Sequence, residues 1–170
     1  IDERFEARVA WNSDQSKWVL DEFVQFREGQ RHPTELLPTE ELNTQKLNDL
    51  KTALGDMKIV GVLRKPTGLG ADLKAGADFM KDAESQTSLM SRGFYLVDVG
   101  GDGVPEIRAA NGEVLVGLKN GVQYVLRFGE VAPSTKEGEE DKINRYLFVT
   151  ARLDESKFPP LELEPLPGGD

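Results

Sequence analysis

Ile107-Arg108-Ala109-Ala110-Asn111-Gly112-Glu113-Val114-Leu115-Val116-Gly117-Leu118-Lys119-Asn120-Gly121-Val122-Gln123-Tyr124-Val125-Leu126-Arg127-Phe128 is the stretch that decides the fold class. Three runs of strand-like residues are separated by Asn111-Gly112 and Asn120-Gly121. A two-residue hairpin loop needs positive φ at both positions, and Asn-Gly tolerates this best. Val114, Val116 and Leu118 fall on one face of their run, and Val122, Tyr124, Leu126 and Phe128 on one face of the next. The pattern predicts a three-stranded antiparallel meander, from Ile107–Ala110 through Glu113–Lys119 to Val122–Phe128, with an apolar side.

Working outward, Pro133 to Asp141 reads as a charged loop, and Tyr146 to Leu153 as a strand apolar on both faces and therefore central. The tail from Phe158 to Pro167 is proline-rich and extended. Upstream, Phe94 to Val97 reads as a short strand and Asp82 to Ser88 as a polar loop or helix end. Leu69, Leu73, Ala77 and Met80 suggest a helix, weakened by Gly70 and Gly76 at about 1 kcal/mol each relative to alanine. Lys58 to Arg64 reads as a strand, because Ile59, Val60, Val62 and Leu63 are apolar and mostly β-branched. The best helix lies within Thr39 to Leu54, with Asn43 or Thr44 as cap, Leu47, Leu50 and Leu54 at helical spacing, and Gly55 as the stop. Phe5, Ala7, Val9 and Trp11 alternate with polar or small residues, Asn12 to Ser16 is a turn, and Trp18 to Phe26 resumes the extended pattern, which makes a hairpin. Gly29 to Pro38 is a loop.

The expected class is α+β: antiparallel sheet built of hairpins and a meander, with one or two helices packed on it. Two sub-lobes are expected. Residues 1–88 carry the hairpin, the helix and the strand at Ile59; residues 89–170 are mostly antiparallel β and end in the proline-rich tail. The two can share one continuous sheet.

The 170 residues suffice for one sizeable core or two small ones. The net charge of −9 argues against a nucleic-acid partner and against anionic lipid headgroups. There is no cysteine, so disulfides, thiolate metal sites and cysteine nucleophiles are excluded. No apolar run approaches the roughly 20 residues that span a bilayer, and no signal peptide is present. The start at Ile1 without methionine, and the end in Pro165-Leu166-Pro167-Gly168-Gly169-Asp170, read as cuts in or near linkers, so an anchor would lie outside the chain.

Asp98-Val99-Gly100-Gly101-Asp102-Gly103-Val104-Pro105-Glu106 is the most suggestive short motif. Calcium loops place acids around a tight glycine turn because a hard cation needs several oxygens. Asp98, Asp102 and Glu106 fit that spacing, and the stretch is similar to the calcium loops of integrin-type propeller repeats. Gly100 removes one side-chain ligand. Calcium usually takes six to eight oxygens, more than the three acids readily supply. The expectation is an exposed turn without a tightly held metal, with calcium as the alternative.

Lys65-Pro66-Thr67-Gly68-Leu69-Gly70 lies where phosphate loops lie, but Leu73 stands in place of the third fingerprint glycine and no Gly-Lys-Ser/Thr occurs, so a tight turn is expected. His32, the one histidine, precedes Pro33 in a polar loop with no nucleophile or second nitrogen ligand nearby in sequence. There is no Gly-x-Ser-x-Gly elbow. Glu137, Glu139, Glu140 and Asp141 read as a solvated acidic run. Trp11 and Trp18 flank the first hairpin, where cross-strand packing is the commoner role and a binding platform the other. No catalytic set and no cofactor motif stand out.

Four segments in order carry a family resemblance: Leu54-Gly55-Asp56-Met57-Lys58-Ile59-Val60-Gly61-Val62 with Lys65-Pro66-Thr67-Gly68-Leu69; Ser91-Arg92-Gly93-Phe94-Tyr95-Leu96; Gly112 through Glu130; and Asn144-Arg145-Tyr146-Leu147-Phe148-Val149. Together they resemble the bacterial domain-of-unknown-function family numbered 4340, from about Trp18 onwards. The resemblance implies an extracytoplasmic, periplasmic place, an N-terminal membrane tether, and association with gliding-type ABC transporter components. It implies no catalytic residues. The function expected is a non-catalytic interaction or scaffold module of an envelope protein with a protein partner, touching the membrane only through a segment absent from this chain. A carboxylate-dependent hydrolase with a cleft between the lobes and a calcium-stabilised adhesion-type module are the alternatives.

Overall fold

The computed structural model describes residues 4–133 and 143–158. It is an α+β fold, with antiparallel sheets throughout and three α-helices among the described residues. The chain divides into two compact units, Ile1–Val62 and Leu63–Asp170.

The first unit is a three-stranded antiparallel sheet and a helix. Strands β1 (Phe5–Asn12) and β2 (Lys17–Arg27) form the hairpin that the alternation predicts, with Trp11 opposite Trp18 and a bulge between Arg8 and Val9. The Asn12 side chain accepts from the Gln15 amide and so closes the turn, as expected of a polar turn residue. The stretch 29–38, read as loop, contributes a third strand, β3 (Gln30–Pro33). Its turn is Glu28-Gly29, with φ of 54° and 76° between paired Arg27 and Gln30. This two-residue loop has positive φ at both positions. Nothing in the sequence signals it, because glutamate is not a residue that favours the left-handed region. Helix α1 (Thr44–Gly55) begins later than Thr39, with the Asn43 side chain accepting from the Lys46 amide, and it runs to Gly55.

The core of this unit is slight. Val24, 1% exposed, is its one buried hydrophobic residue among the described positions, and α1 buries none.

The predicted strand Lys58–Arg64 does not form: these residues have no regular structure and no strand neighbour among the described residues. β-propensity reflects fit to a pleated, half-covered surface, and without that surface the sequence has no ladder to join.

The second unit has the larger core. The helix expected over Leu69–Met80 is instead a turn followed by two short helices, α2 (Ala77–Lys81) and α3 (Ala83–Met90). Gly68 has φ 82°, and Leu69 bridges Ala75 across the turn. A Cβ on Gly68 would lie 2.6 Å from the Phe79 amide nitrogen, so only glycine lets the turn lie this close to α2. The segment around Asp82–Ser88, read as loop or helix end, is largely α3. Asp82 caps it, accepting from the Ser85 amide, and the Ser85 hydroxyl and amide hold the Asp82 carboxyl below its usual range.

Strands β4 (Phe94–Val97) and β5 (Glu106–Ala109) pair with each other, and β6 (Glu113–Gly117), β7 (Val122–Ala132) and β8 (Asn144–Leu153) make a separate three-stranded sheet. Leu69, Leu73, Ala75, Phe79, Leu89, Phe94, Ile107 and Ala109 form one buried cluster, against which Leu96, Tyr146 and Phe148 pack. Phe94 and Phe148 meet edge to face at 4.7 Å. The sequence boundary after residue 88 therefore falls inside this core: Phe79 and Leu89 pack with Phe94 and Ile107, and the units divide after Val62.

Two details of the meander differ from the reading of the Asn-Gly pairs. β5 is not paired with β6. At Asn111-Gly112 the chain leaves one sheet for the other: Ala110 donates to Gly93 O, whereas Asn111 donates to Phe128 O and Phe128 to Gly112 O. Asn120-Gly121 does lie in a hairpin, but its loop is Lys119-Asn120-Gly121. Leu118 donates to Val122 O, Gly121 donates to Leu118 O, and Gly121 alone of the pair has positive φ, at 82°. A three-residue loop ending in a left-handed glycine is the next commonest solution after the two-residue turn. The central strand is β7, buried at Val125, Leu126 and Arg127 in succession, and β8 lies outside it. A run that looks apolar on both faces put β8 in the middle; in fact β8 covers the Phe94 cluster on one side and is largely exposed towards its end.

No helix among the described residues is long and apolar enough to cross a membrane, which leaves spanning by strands untouched.

Candidate functional site

The Asp98–Glu106 loop joins β4 to β5. Its acids are directed to different tasks. Asp98 accepts from the Gly101 amide through Oδ1 at 2.8 Å and from the Gly103 amide through Oδ2 at 3.0 Å. Asp102 accepts from the Val104 amide at 3.0 Å. Gly101 and Gly103 take φ of 67° and 77°, which lets the amides turn inward to Asp98. Glu106 instead faces arginine: its Oε1 is 2.7 Å from Arg108 Nε and 3.6 Å from Arg127 Nη2. The three acids are thus not gathered around one point, and no group of three or more His, Cys, Asp or Glu side chains among the described residues has metal-holding geometry. Asp98 and Asp102 close the loop on itself. A cleft of about 240 Å³ beside it is lined by Lys74, Asp102, Glu106 and Arg108 among others, with both signs of charge.

We expect Asp98→Ala to lower stability by about 1 kcal/mol through loss of two loop hydrogen bonds, with calcium making no difference to either protein. Thermal melts with calcium and with chelator, beside calorimetric titration, check this. Micromolar calcium binding that disappears in Asp102→Ala would contradict it.

Four charged residues form a cluster that the sequence reading did not single out. Glu106 and Arg108 project from the face of β5 opposite to Ile107 and Ala109, since strand neighbours alternate. Glu113 and Arg127 are directly paired across β6 and β7. Arg127 Nε lies 2.5 Å from Glu113 Oε2, and Arg108 Nη1 donates to both oxygens of the same carboxylate at 3.2 and 3.3 Å. The contact of Arg108 Nε with Glu106 is close but off the N–H direction, so it is a charge contact rather than a hydrogen bond. Arg127 is 7% exposed, and its Nη1 has no hydrogen-bond partner among the described residues. Two arginines and two glutamates balance to zero, and the cluster ties β5 to the β6–β7 hairpin where the chain changes sheet. The sequence signal for it is an arginine at the middle of a largely apolar strand.

The remaining readings fall as follows. Lys65 donates to Gly70 O at 2.9 Å, so the lysine of the phosphate-loop look-alike secures a tight turn. His32 is exposed on β3, opposite Gln25. Trp11 and Trp18 pack edge to face at 5.5 Å across the hairpin, as cross-strand neighbours. Trp18 Nε1 donates to Asn48 of α1, and Lys51 of α1 sits 5.6 Å from the Trp11 ring. This pair fastens α1 to the hairpin, which supplies what the slight core does not. A second cleft, about 220 Å³, is lined mainly by Phe79, Leu89, Phe94, Leu96 and Ile107 and brings no acid or base together. The acidic run Glu137–Asp141 and the proline-rich tail beyond Phe158 lie outside the described residues.

What stands out is the segment that fails to become a strand. Ile59, Val60, Val62 and Leu63 are 86%, 74%, 85% and 61% exposed. No backbone hydrogen bond is made by residues 57–64 among the described residues. Scattered surface leucines are ordinary, but four large apolar residues exposed within five consecutive positions are not. The chain matches no protein-family model, no curated protein and no solved structure.

Proposed function

We propose that this chain is a non-catalytic interaction or scaffold module of a bacterial envelope protein, working on the outer side of the membrane and held there through a segment outside this chain. The observation that carries the reading is the exposed apolar run from Ile59 to Leu63, which has the two-sided composition of a covered strand and no strand beside it. Apolar side chains left uncovered beside backbone groups without partners suit contact with another protein. The net charge of −9 suits a protein partner better than a nucleic acid or an anionic lipid surface. The resemblance to family 4340 supports the envelope and an association with transporter components.

The test is site-specific photo-crosslinking in cells making the full-length protein. A benzophenone side chain at Val60 should give a discrete adduct in the envelope fraction, and the same group at Asp14, in the exposed β1–β2 turn, should not. Recovery of the full-length protein in the cytosolic fraction, or identical adducts from both positions, would refute the proposal.

A further inference from the structure

We propose that the outer edge of β8 receives an extended peptide with carboxylates at its ends, added as a fourth strand to the β6–β7–β8 sheet. This surface is a different one from the Ile59–Leu63 run, and the inference goes beyond the reading above. β8 is the last strand of its sheet, and no strand lies on its far side among the described residues. The hydrogen-bond register tells which of its backbone groups are open. Leu118 donates to Val122 O and Phe128 to Gly112 O, so the even-numbered residues of β7 bond to β6. Antiparallel partners alternate, so the odd-numbered residues of β7 bond to β8, as Gly121 O does to the Asp154 amide just beyond the strand. Phe148, Thr150 and Arg152, opposite Arg127, Val125 and Gln123, are therefore tied inward. Leu147, Val149 and Ala151 turn their amides and carbonyls away from β7, which is the template that strand addition uses.

The composition of the strand supports the same use. Sheet edges are normally protected by shortness, proline, a bulge or a lysine. β8 has ten residues without proline, glycine or lysine, and no charge from Tyr146 to Ala151. Val149, near its middle, is 52% exposed. Leu147, Val149 and Ala151 also lie opposite Phe128, Leu126 and Tyr124, so alternate residues of an added strand would extend an apolar face.

Charge complementarity selects the occupant. Arg145 and Arg152 are the only charged residues of β8 and stand near its two ends. Arg145 Nη1 donates to Gly129 O and Arg152 Nε to Gln123 Oε1, so neutral acceptors hold both guanidinium groups. Neither makes an ion pair among the described residues. Carboxylates opposite these positions are attracted, and lysines there are repelled. A second copy of the chain is the competitor, and charge disfavours it twice. Pairing two β8 edges would bring four arginines and no acid to one seam, between chains that each carry −9.

The probe is a fluorescein-labelled, end-blocked peptide, Glu-Val-Thr-Val-Thr-Val-Thr-Glu, with Lys-Val-Thr-Val-Thr-Val-Thr-Lys as its counterpart, titrated against the full chain by anisotropy. Laid antiparallel, its first glutamate meets Arg152, its valines meet Ala151, Val149 and Leu147, and its last glutamate meets Arg145. The acid-ended peptide should bind saturably and about tenfold more tightly than the lysine-ended one, with the difference shrinking at high salt. The net charge alone favours the lysine-ended peptide, so this preference can come only from the local arginines. Arg152→Glu sets one attraction against one repulsion, and the preference should vanish. Methylating the three valine amides of the peptide removes the donors that face β8 and should abolish binding, whereas methylating the threonine amides should not. Val149→Pro removes an outward N–H, which an edge strand tolerates, so its circular dichroism should match the parent while binding falls about tenfold or more. Equal affinity of the parent for the two peptides, no binding of either, a preference unchanged in Arg152→Glu, or binding that survives methylation of the valines would overturn the inference. So would a dimer of the free chain that Val149→Pro dissolves. The Val60 crosslink reads the other surface, so either proposal can fail without the other.

Discussion

Phe79→Ala is expected to lower the stability of the unit spanning Leu63–Asp170 by about 3–5 kcal/mol. Phe79 is fully buried, at 0% exposure, and it sits at the centre of the cluster formed by the 68–76 turn, α3, β4 and β5. Removing the ring deletes its transfer free energy and leaves a cavity whose walls are fixed from several sides. Gly68 lies against the Phe79 backbone, and Gln86 Nε2 is hydrogen-bonded to Phe79 O at 2.9 Å, so the helix cannot slide inward to fill the space. Phe79→Leu keeps most of the volume and should cost about 1–1.5 kcal/mol. Urea unfolding followed by near-ultraviolet circular dichroism of tyrosine checks this, because Tyr95, Tyr124 and Tyr146 all belong to this unit while Trp11 and Trp18 belong to the other. A shift below about 1 kcal/mol for the alanine variant would show that the core assigned here is not the one the protein uses.

The second large effect is expected at Glu113. Its carboxylate is the shared partner of Arg127 and Arg108, and Arg127 is buried. Glu113→Ala leaves a buried guanidinium with only the more distant Glu106 as counter-charge, at 3.6 Å. Breaking a buried pair from one side costs about 3–5 kcal/mol, most of it the penalty of the stranded charge. Removing both charges is different in kind, since neither is then left unpaired. Arg127→Met combined with Glu113→Leu should recover most of the loss, even though Arg108 keeps only Glu106. Denaturant midpoints of Glu113→Leu, Arg127→Met and the double variant close the thermodynamic cycle. Additive losses, with no recovery in the double variant, would show that the pair is not acting as a buried unit.

The features legible in the amino-acid order are local ones. The β1–β2 hairpin and the Asn43 cap of α1 follow from alternation and capping over a few residues, and a hairpin does form at Asn120-Gly121, through a three-residue loop in place of the two-residue one. The antiparallel α+β class follows with them. The closing of the Asp98 loop is local as well, since it depends on an acid within reach of the next glycine amides.

The rest depends on partners distant in sequence. Asn111-Gly112 has the composition of a hairpin turn, but β5 gains more by lying beside β4, where Ile107 and Ala109 reach the Phe79 core, so the pair becomes the crossing between sheets. Leu69 and Leu73 have helical spacing, yet Leu73 is held at φ 64° and buried because the turn delivers it to Ile107. Arg127 looks misplaced in an apolar strand until Glu113 and Glu106 are seen beside it. Ile59 to Leu63 carries every mark of a strand and has no ladder, because a strand is defined by its neighbours and propensity cannot supply one.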